Sequence, residues 1–145
     1  MRLFAKNTSI LSGEVDCPGD KSISQRAIII GALANQNISI TGFLNGEDPL
    51  STLSALNQIG ADISINNNEV TINERELTFS NPSNSIDLGN SGTGMRLIMG
   101  LIAGTGLKAT IIGDESLMKR PMSRVSIPLN EMGAKVADSQ GLPPI

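Results

Sequence analysis

Leu56-Asn57-Gln58-Ile59-Gly60-Ala61-Asp62-Ile63 returns 73 residues later as Leu129-Asn130-Glu131-Met132-Gly133-Ala134-Lys135-Val136. Upstream of each copy lies a second echo: Gly46-Glu47-Asp48-Pro49-Leu50 before the first, Gly113-Asp114-Glu115-Ser116-Leu117 before the second. Two echoes in the same order signal a duplicated structural unit rather than chance. The echoes start 10 residues apart in the first copy and 16 in the second, so the second carries a six-residue insertion around Lys119 to Ser123.

Outward from these echoes, each unit reads as alternating helix and strand. In the first, Ser22 to Leu33 has helical spacing, with Ile28, Ile29, Ile30 and Leu33 supplying an apolar side. Ile38 to Thr41 alternates like a strand. Asp48 is placed to cap a helix with Pro49 at its first position, running to Ile59 and stopped by Gly60. A hairpin follows, Asp62 to Ile65 and Val70 to Ile72, turning at Asn66-Asn67-Asn68. The second unit repeats the order: helix Gly92 to Ala103, strand Lys108 to Ile112, helix Met122 to Met132, strand Ala134 to Ala137. Asp138 to Gly141 has the composition of a turn, and Leu142 to Ile145 stands where a partner strand would begin. The expectation is an α/β (α+β) chain of two β-α-β-α-β-β units, the second incomplete, cut from something longer.

Composition bounds the chemistry. The chain has 145 residues, 39% of them hydrophobic and 17% charged, which suits one globular core. A net charge of −3 gives no general attraction to nucleic acid or to an anionic membrane. The cations are nonetheless gathered: Lys21, Arg26, Arg96, Lys119, Arg120 and Arg124 lie in or beside glycine-rich or turn-like segments, a pattern for local anion capture. The sequence has no His, which rules out Ser-His and Cys-His nucleophile systems. It has no Trp or Tyr for base stacking, and a single Cys17, read as a packed small residue, that can form neither an internal disulfide nor a cysteine-rich zinc site. Met95, Met99, Met118, Met122 and Met132 read as core filler. The N-terminus lacks an apolar signal core, and the stretch from Leu97 to Leu107 is broken by Gly100, Gly104 and Gly106. A cytoplasmic protein is expected.

Three segments carry chemistry. Pro18-Gly19-Asp20-Lys21-Ser22-Ile23-Ser24-Gln25-Arg26 opens the first helix, with Ser22 and Arg26 four apart on one face. A hydroxyl, an ammonium and a guanidinium at a helix start suit phosphate or carboxylate. A capped helix with solvated cations has the same signature. Leu88-Gly89-Asn90-Ser91-Gly92-Thr93-Gly94-Met95-Arg96 opens the third helix, and its small residues let a ligand approach the backbone at Gly92. Its glycines are in the wrong order for a dinucleotide turn, and the first segment lacks the Gly-Lys-Ser/Thr spacing of a P-loop. Asp114-Glu115-Ser116-Leu117-Met118-Lys119-Arg120-Pro121-Met122 puts two cations on a loop held by Pro121, where acids and cations could also pair with one another. Asp20, Asp114 and Glu115 have no spacing that supports a metal site, and no metal or cofactor is expected.

In this order the three segments resemble the 5-enolpyruvylshikimate-3-phosphate synthase family of enolpyruvyl transferases, across nearly the whole chain. Pro18 to Ala27 matches the family's phosphate-sugar motif, Leu88 to Arg96 its phosphoenolpyruvate motif, and Gly113 to Met122 its arginine loop. The related UDP-N-acetylglucosamine enolpyruvyl transferases fit less well, since their Lys-Asn pair and loop cysteine have no counterparts here. The resemblance implies that Lys21 contacts both substrates. Ser22 and Arg26 would bind shikimate 3-phosphate. Gly92 and Arg120 would hold phosphoenolpyruvate in a pocket shaped by Asn90, Thr93 and Arg96. Ser91-Gly92-Thr93-Gly94-Met95-Arg96-Leu97 stands where some members have Ala-Gly-Thr-Ala-Met-Arg-Pro, a variant similar to the less glyphosate-sensitive bacterial class.

The family's reaction, so implied, moves the enolpyruvyl group to the sugar 5-hydroxyl by addition and elimination, with release of phosphate. Without His, proton transfer would fall to Lys21 or to carboxylates. The family fold has two lobes, each of three β-α-β-α-β-β units. Residues 1–17 would then belong to the opposite lobe with the crossover, about 18–80 to unit one and about 85–145 to an incomplete unit two. Because the family's carboxylate pair lies later in a longer chain, the 145 residues alone are expected to lack turnover and to need the C-terminal portion as partner. The alternative is a stand-alone anion-binding or regulatory module derived from the synthase. Small anionic substrates are the expected ligands, with neither nucleic acid nor membrane.

Overall fold

A computed structural model describes residues 3–7, 10–74 and 79–145. Parts of the segment expected to cross to an opposite lobe (1, 2, 8 and 9) and of unit one (75–78) lie outside the described residues.

Unit one contains α1 (Lys21–Ala34), β1 (Ile38–Ile40), α2 (Glu47–Gln58), β2 (Ile63–Asn66) and β3 (Glu69–Ile72). Unit two contains β4 (Ile86–Asp87), α3 (Gly92–Thr105), β5 (Ile111–Ile112), a 3-10 turn (Leu117–Lys119) and α4 (Ser123–Glu131). In unit one β3 lies between β1 and β2, antiparallel to both, with Ile72 opposite Ile38 and Ile63. In unit two β4 and β5 run parallel, and Ile145 exchanges both backbone hydrogen bonds with Ile111 on the other side of β5.

The echo that revealed the duplication has a physical cause. Asn57 Nδ2 donates to the Ile63 carbonyl at 2.8 Å while the Ile63 N–H donates to Asn57 Oδ1 at 3.0 Å. Asn130 does the same to Val136, at 2.9 and 2.7 Å. Between clamp and strand the chain leaves the helix through Gly60 and Gly133, at φ of +98° and +97°, a region costly for any residue with a Cβ. The Ala61 and Ala134 N–H groups then bond the carbonyls of Leu56 and Leu129, satisfying the last helical turn. The letters shared by the two copies thus serve one turn: Asn as clamp, Gly as exit, and Leu packed on the core, fully in the first copy and partly in the second.

The helices pack in sequence, α1 on α2, α2 on α3 and α3 on α4, over one shared core. Ile28, Leu56, Ile59, Val70, Ile86, Leu88, Met95 and Ile98 are fully buried in it, and each such side chain contributes roughly 1.5–3 kcal/mol. No position from 91 to 103 is exposed, which explains why α3 is apolar on nearly every side.

Several expectations are corrected. The Asp48 cap with Pro49 at the first helical position is replaced by a start at Glu47 with Gly46 as cap, leaving the Asp48 carboxylate for another partner. Ala134 to Ala137 is not a strand: Val136 spends its backbone groups on Asn130, and no strand pairs with it among the described residues. The strand expected over Lys108 to Ile112 narrows to Ile111–Ile112, the part that pairs with β4. Ile30 and Leu33 of α1 face outward, 63% and 51% exposed, because only one side of the helix meets α2 and α3. Met132 is 83% exposed at the α4 exit rather than core filler, whereas Met95, Met99 and Met122 are buried. Cys17 is exposed rather than packed, in a segment without helix or strand.

Candidate functional site

The two glycine-flanked segments, far apart in sequence, become neighbouring helix starts. Asp20 caps α1, its Oδ1 accepting from the Ile23 N–H at 2.7 Å. Ser91 caps α3, its Oγ accepting from the Gly94 N–H at 3.2 Å. Gln25, one turn into α1, reaches Ser91 Oγ at 2.8 Å and so fixes one start beside the other. Each start presents the positive end of a helix dipole, which favours an anion; the Gly92 N–H itself donates to the Asn90 carbonyl at 2.9 Å.

Cations arrive at the two starts by different routes. Lys21 is the first residue of α1; its half-exposed ammonium lies 2.8 Å from Asp48 Oδ2. Ser22 is half-buried beside it, and Arg26 is exposed one turn later with no ion pair among the described residues. At α3 the cation comes from the insertion. Arg120 Nη2 donates to Asn90 Oδ1 at 2.6 Å and to Ser116 Oγ at 3.4 Å, and Nη1 to the Asn90 carbonyl at 3.3 Å. A Cβ at Gly92 would stand 3.1 Å from Arg120 Nη1, so glycine lets the guanidinium lie over the helix start. Arg96 points back along the helix to the carbonyls of Gly92 and Pro121, at 3.4 and 3.3 Å. Thr93 is half-buried in the first turn of α3.

The arginine loop is held by Asp114. Its Oδ2 accepts from Asn90 Nδ2 and its Oδ1 from the Leu117 N–H, each at 2.7 Å. The Asn90 bond, then the Leu117 N–H, hold its carboxyl below the ordinary Asp value of 3.8. Asp114, Asn90 and Arg120 form a chain in which the carboxylate orients the amide and the amide orients the guanidinium. Lys119 instead pairs with Glu115 on the surface, as its neighbouring acids allowed.

Every predicted site residue therefore lies at one of the two helix starts or on the loop over the second. Sequence reasoning missed Asp48 as the partner of Lys21, Asp114 as the anchor of the loop, and Gln25 and Thr52 as buried polar residues between the units. The signal for the last pair was present: Gln25 and Thr52 interrupt apolar helix faces. Among the described residues no helix is long and apolar enough to cross a membrane.

Comparison with known proteins shows the family and the fold. A sequence model of EPSP synthase (3-phosphoshikimate 1-carboxyvinyltransferase) matches residues 5–145. The chain belongs to the EPSP synthase family. It is 47% identical over 145 residues to the 3-phosphoshikimate 1-carboxyvinyltransferase of Ruthia magnifica, covering 99% of this chain and 33% of the relative. It is 42% identical to that of Shouchella clausii over 94% of this chain and 32% of the relative. The EPSP synthase structure from Acinetobacter baumannii superposes with a TM-score of 0.83 at 42% identity, over 91% of this chain and 31% of that one. The chain thus spans about a third of the length of the family members it matches, and the expected family fold of repeated α/β units holds.

Proposed function

We propose that the 145 residues form the part of an enolpyruvyl transferase in which two anionic substrates meet over adjacent helix N-termini. Shikimate 3-phosphate lies over the start of α1, its phosphate held by Lys21, Ser22 and Arg26. Phosphoenolpyruvate lies over the start of α3, close to the backbone at Gly92 and paired with Arg120. Asn90, Thr93 and Arg96 shape that pocket, and Lys21 reaches both ligands. The observation that carries the reading is the Arg120 guanidinium, oriented by Asn90 over a glycine helix start that Gln25 ties to the helix bearing Lys21.

Lys21 is the residue placed to move a proton. Its ammonium already donates to Asp48, so an arriving phosphate competes with a carboxylate for a cation that is held in position. The whole protein would transfer the enolpyruvyl group to the sugar hydroxyl and release phosphate in the cytoplasm. The described N-terminal residues exposing Leu3, Phe4, Ile10, Leu11 and Val15 would pack into the opposite lobe, since so much exposed apolar surface marks a contact face. The remaining two-thirds of a family member would be the partner that completes the site.

The test is reconstitution. The purified chain alone is expected to release no phosphate from the substrate pair, and mixing it with the remaining portion of a family member is expected to restore release. Robust turnover by the chain alone, or none from a folded mixture, would refute the proposal; the second result would favour a binding module without chemistry.

A further inference from the structure

Gln25 is fully buried where α1, α2 and α3 meet. Its Nε2 lies 2.8 Å from Ser91 Oγ, 2.9 Å from Thr52 Oγ1 and 3.2 Å from the Asp48 carbonyl. An amide nitrogen has two protons, so it serves two of these acceptors at a time. Thr52 Oγ1 lies 3.1 Å from the same Asp48 carbonyl, to which it donates, and Ser91 Oγ accepts from the Gly94 N–H. The network is closed on one side by Gly94, where a Cβ would stand 2.6 Å from Ser91 Oγ, 2.7 Å from Thr52 Oγ1 and 3.1 Å from Gln25 Nε2. Only glycine leaves room for it.

Stability alone does not account for this arrangement. Gln25 Oε1 is buried with no hydrogen-bond partner among the described residues, and an unpaired buried carbonyl is destabilising. A leucine of similar size would fill the space without that cost. The network does join two chemically important places. Lys21 and Gln25, four apart on one helix face, both engage Asp48: the ammonium its carboxylate, the amide its carbonyl. The same amide reaches the cap of α3, one residue before Gly92.

We propose that Gln25 is a positioning residue that couples the two anion half-sites, so that a change at Lys21–Asp48 is transmitted to the start of α3. The proposal rests on reading the two helix starts as the substrate sites. It adds that they are set by one buried amide rather than independently.

The experiment uses the folded chain without substrate and reads backbone amide resonances by NMR. Lys21→Met releases Asp48 and is expected to shift the Gly92 and Gly94 amides while leaving Val70 in the β2–β3 hairpin unmoved. In the Gln25→Leu background the same substitution is expected to shift them by about half as much or less. Equal shifts in both backgrounds, or no shift at Gly92 and Gly94 in the first, would overturn the coupling. If Gln25→Leu does not fold, Ser91→Ala carries the test, because it removes the acceptor on α3 at almost unchanged volume. Because no substrate is present, failure of the chain to bind shikimate 3-phosphate leaves this result standing. Intact binding with uncoupled resonances would remove Gln25's role alone.

Discussion

The two units share the exit of their second helix but differ in their sheets, antiparallel in unit one and parallel in unit two, and in where the charges sit. Both end their second helix with the same asparagine clamp and the same left-handed glycine, at nearly equal distances and angles. They part company between the glycine echo and that helix. In unit one Gly46 caps α2 directly, so Asp48 falls in the first turn and meets Lys21 from α1. In unit two the insertion forms a 3-10 turn that carries Arg120 back over α3. Each unit places a cation at the start of its first helix, one from within that helix and one from an inserted loop. A duplicated fold can therefore keep a cation at each helix start while exchanging the source of that cation.

The comparison can be stressed first in the core. Leu56 is fully buried, while its counterpart Leu129 is only partly buried against the same core. Leu56→Ala is expected to cost about 2–5 kcal/mol and Leu129→Ala less than about 2, read by chemical denaturation. Equal costs would mean that the two units are equally packed. Next come the clamps: Asn57→Ala should cost about 1–3 kcal/mol, because it frees Ile63 groups in the paired strand β2, and Asn130→Ala about 1 kcal/mol or less at its more exposed site. The reverse order would show that unit two depends more on its clamp.

The cations should separate binding from stability. Lys21→Met removes a part-exposed ion pair and is expected to change stability by less than about 1 kcal/mol. Arg120→Lys keeps the charge but loses the fork that grips Asn90. In the reconstituted enzyme it is expected to raise KM for phosphoenolpyruvate more than for shikimate 3-phosphate. An equal effect on both would contradict the division of the site between units.

The smallest effect is on pH dependence. Hydrogen bonds from Asn90 and Leu117 lower the Asp114 pKa in the native state. Its contribution is therefore fully present above the ordinary Asp value and is lost as pH falls through the lower native one. Asp138, held by Ser126 Oγ–H and the Gly141 N–H, behaves in the same sense. The stability gap between the wild-type chain and Asp114→Asn should shrink as pH drops below the ordinary carboxylate range. A gap that widens there would mean that Asp114 is not the anchor of the arginine loop.

How much of this was legible follows from range. The repeat, its helix exits and the two glycine-flanked helix starts are local features, and each lies where spacing placed it. Lys21, Arg120 and Gly92 were singled out through the motifs that resemble the family, and the structure puts them at the two helix starts and on the loop over the second. The partners that orient them were not: Asp48 read as a cap because Asp before Pro is a strong local signal, and only the start at Gly46 frees it for Lys21. Cys17 and Met132 read as core because burial was inferred from residue type, while what faces them is decided by the tertiary arrangement.

The central claim is that an anion site is already formed at the start of α1. Calorimetric titration of the purified chain with shikimate 3-phosphate, with Lys21→Ala alongside, tests it most directly. The account predicts saturable one-site binding that the substitution abolishes. No binding by a folded chain, or binding that Lys21→Ala leaves unchanged, would contradict it.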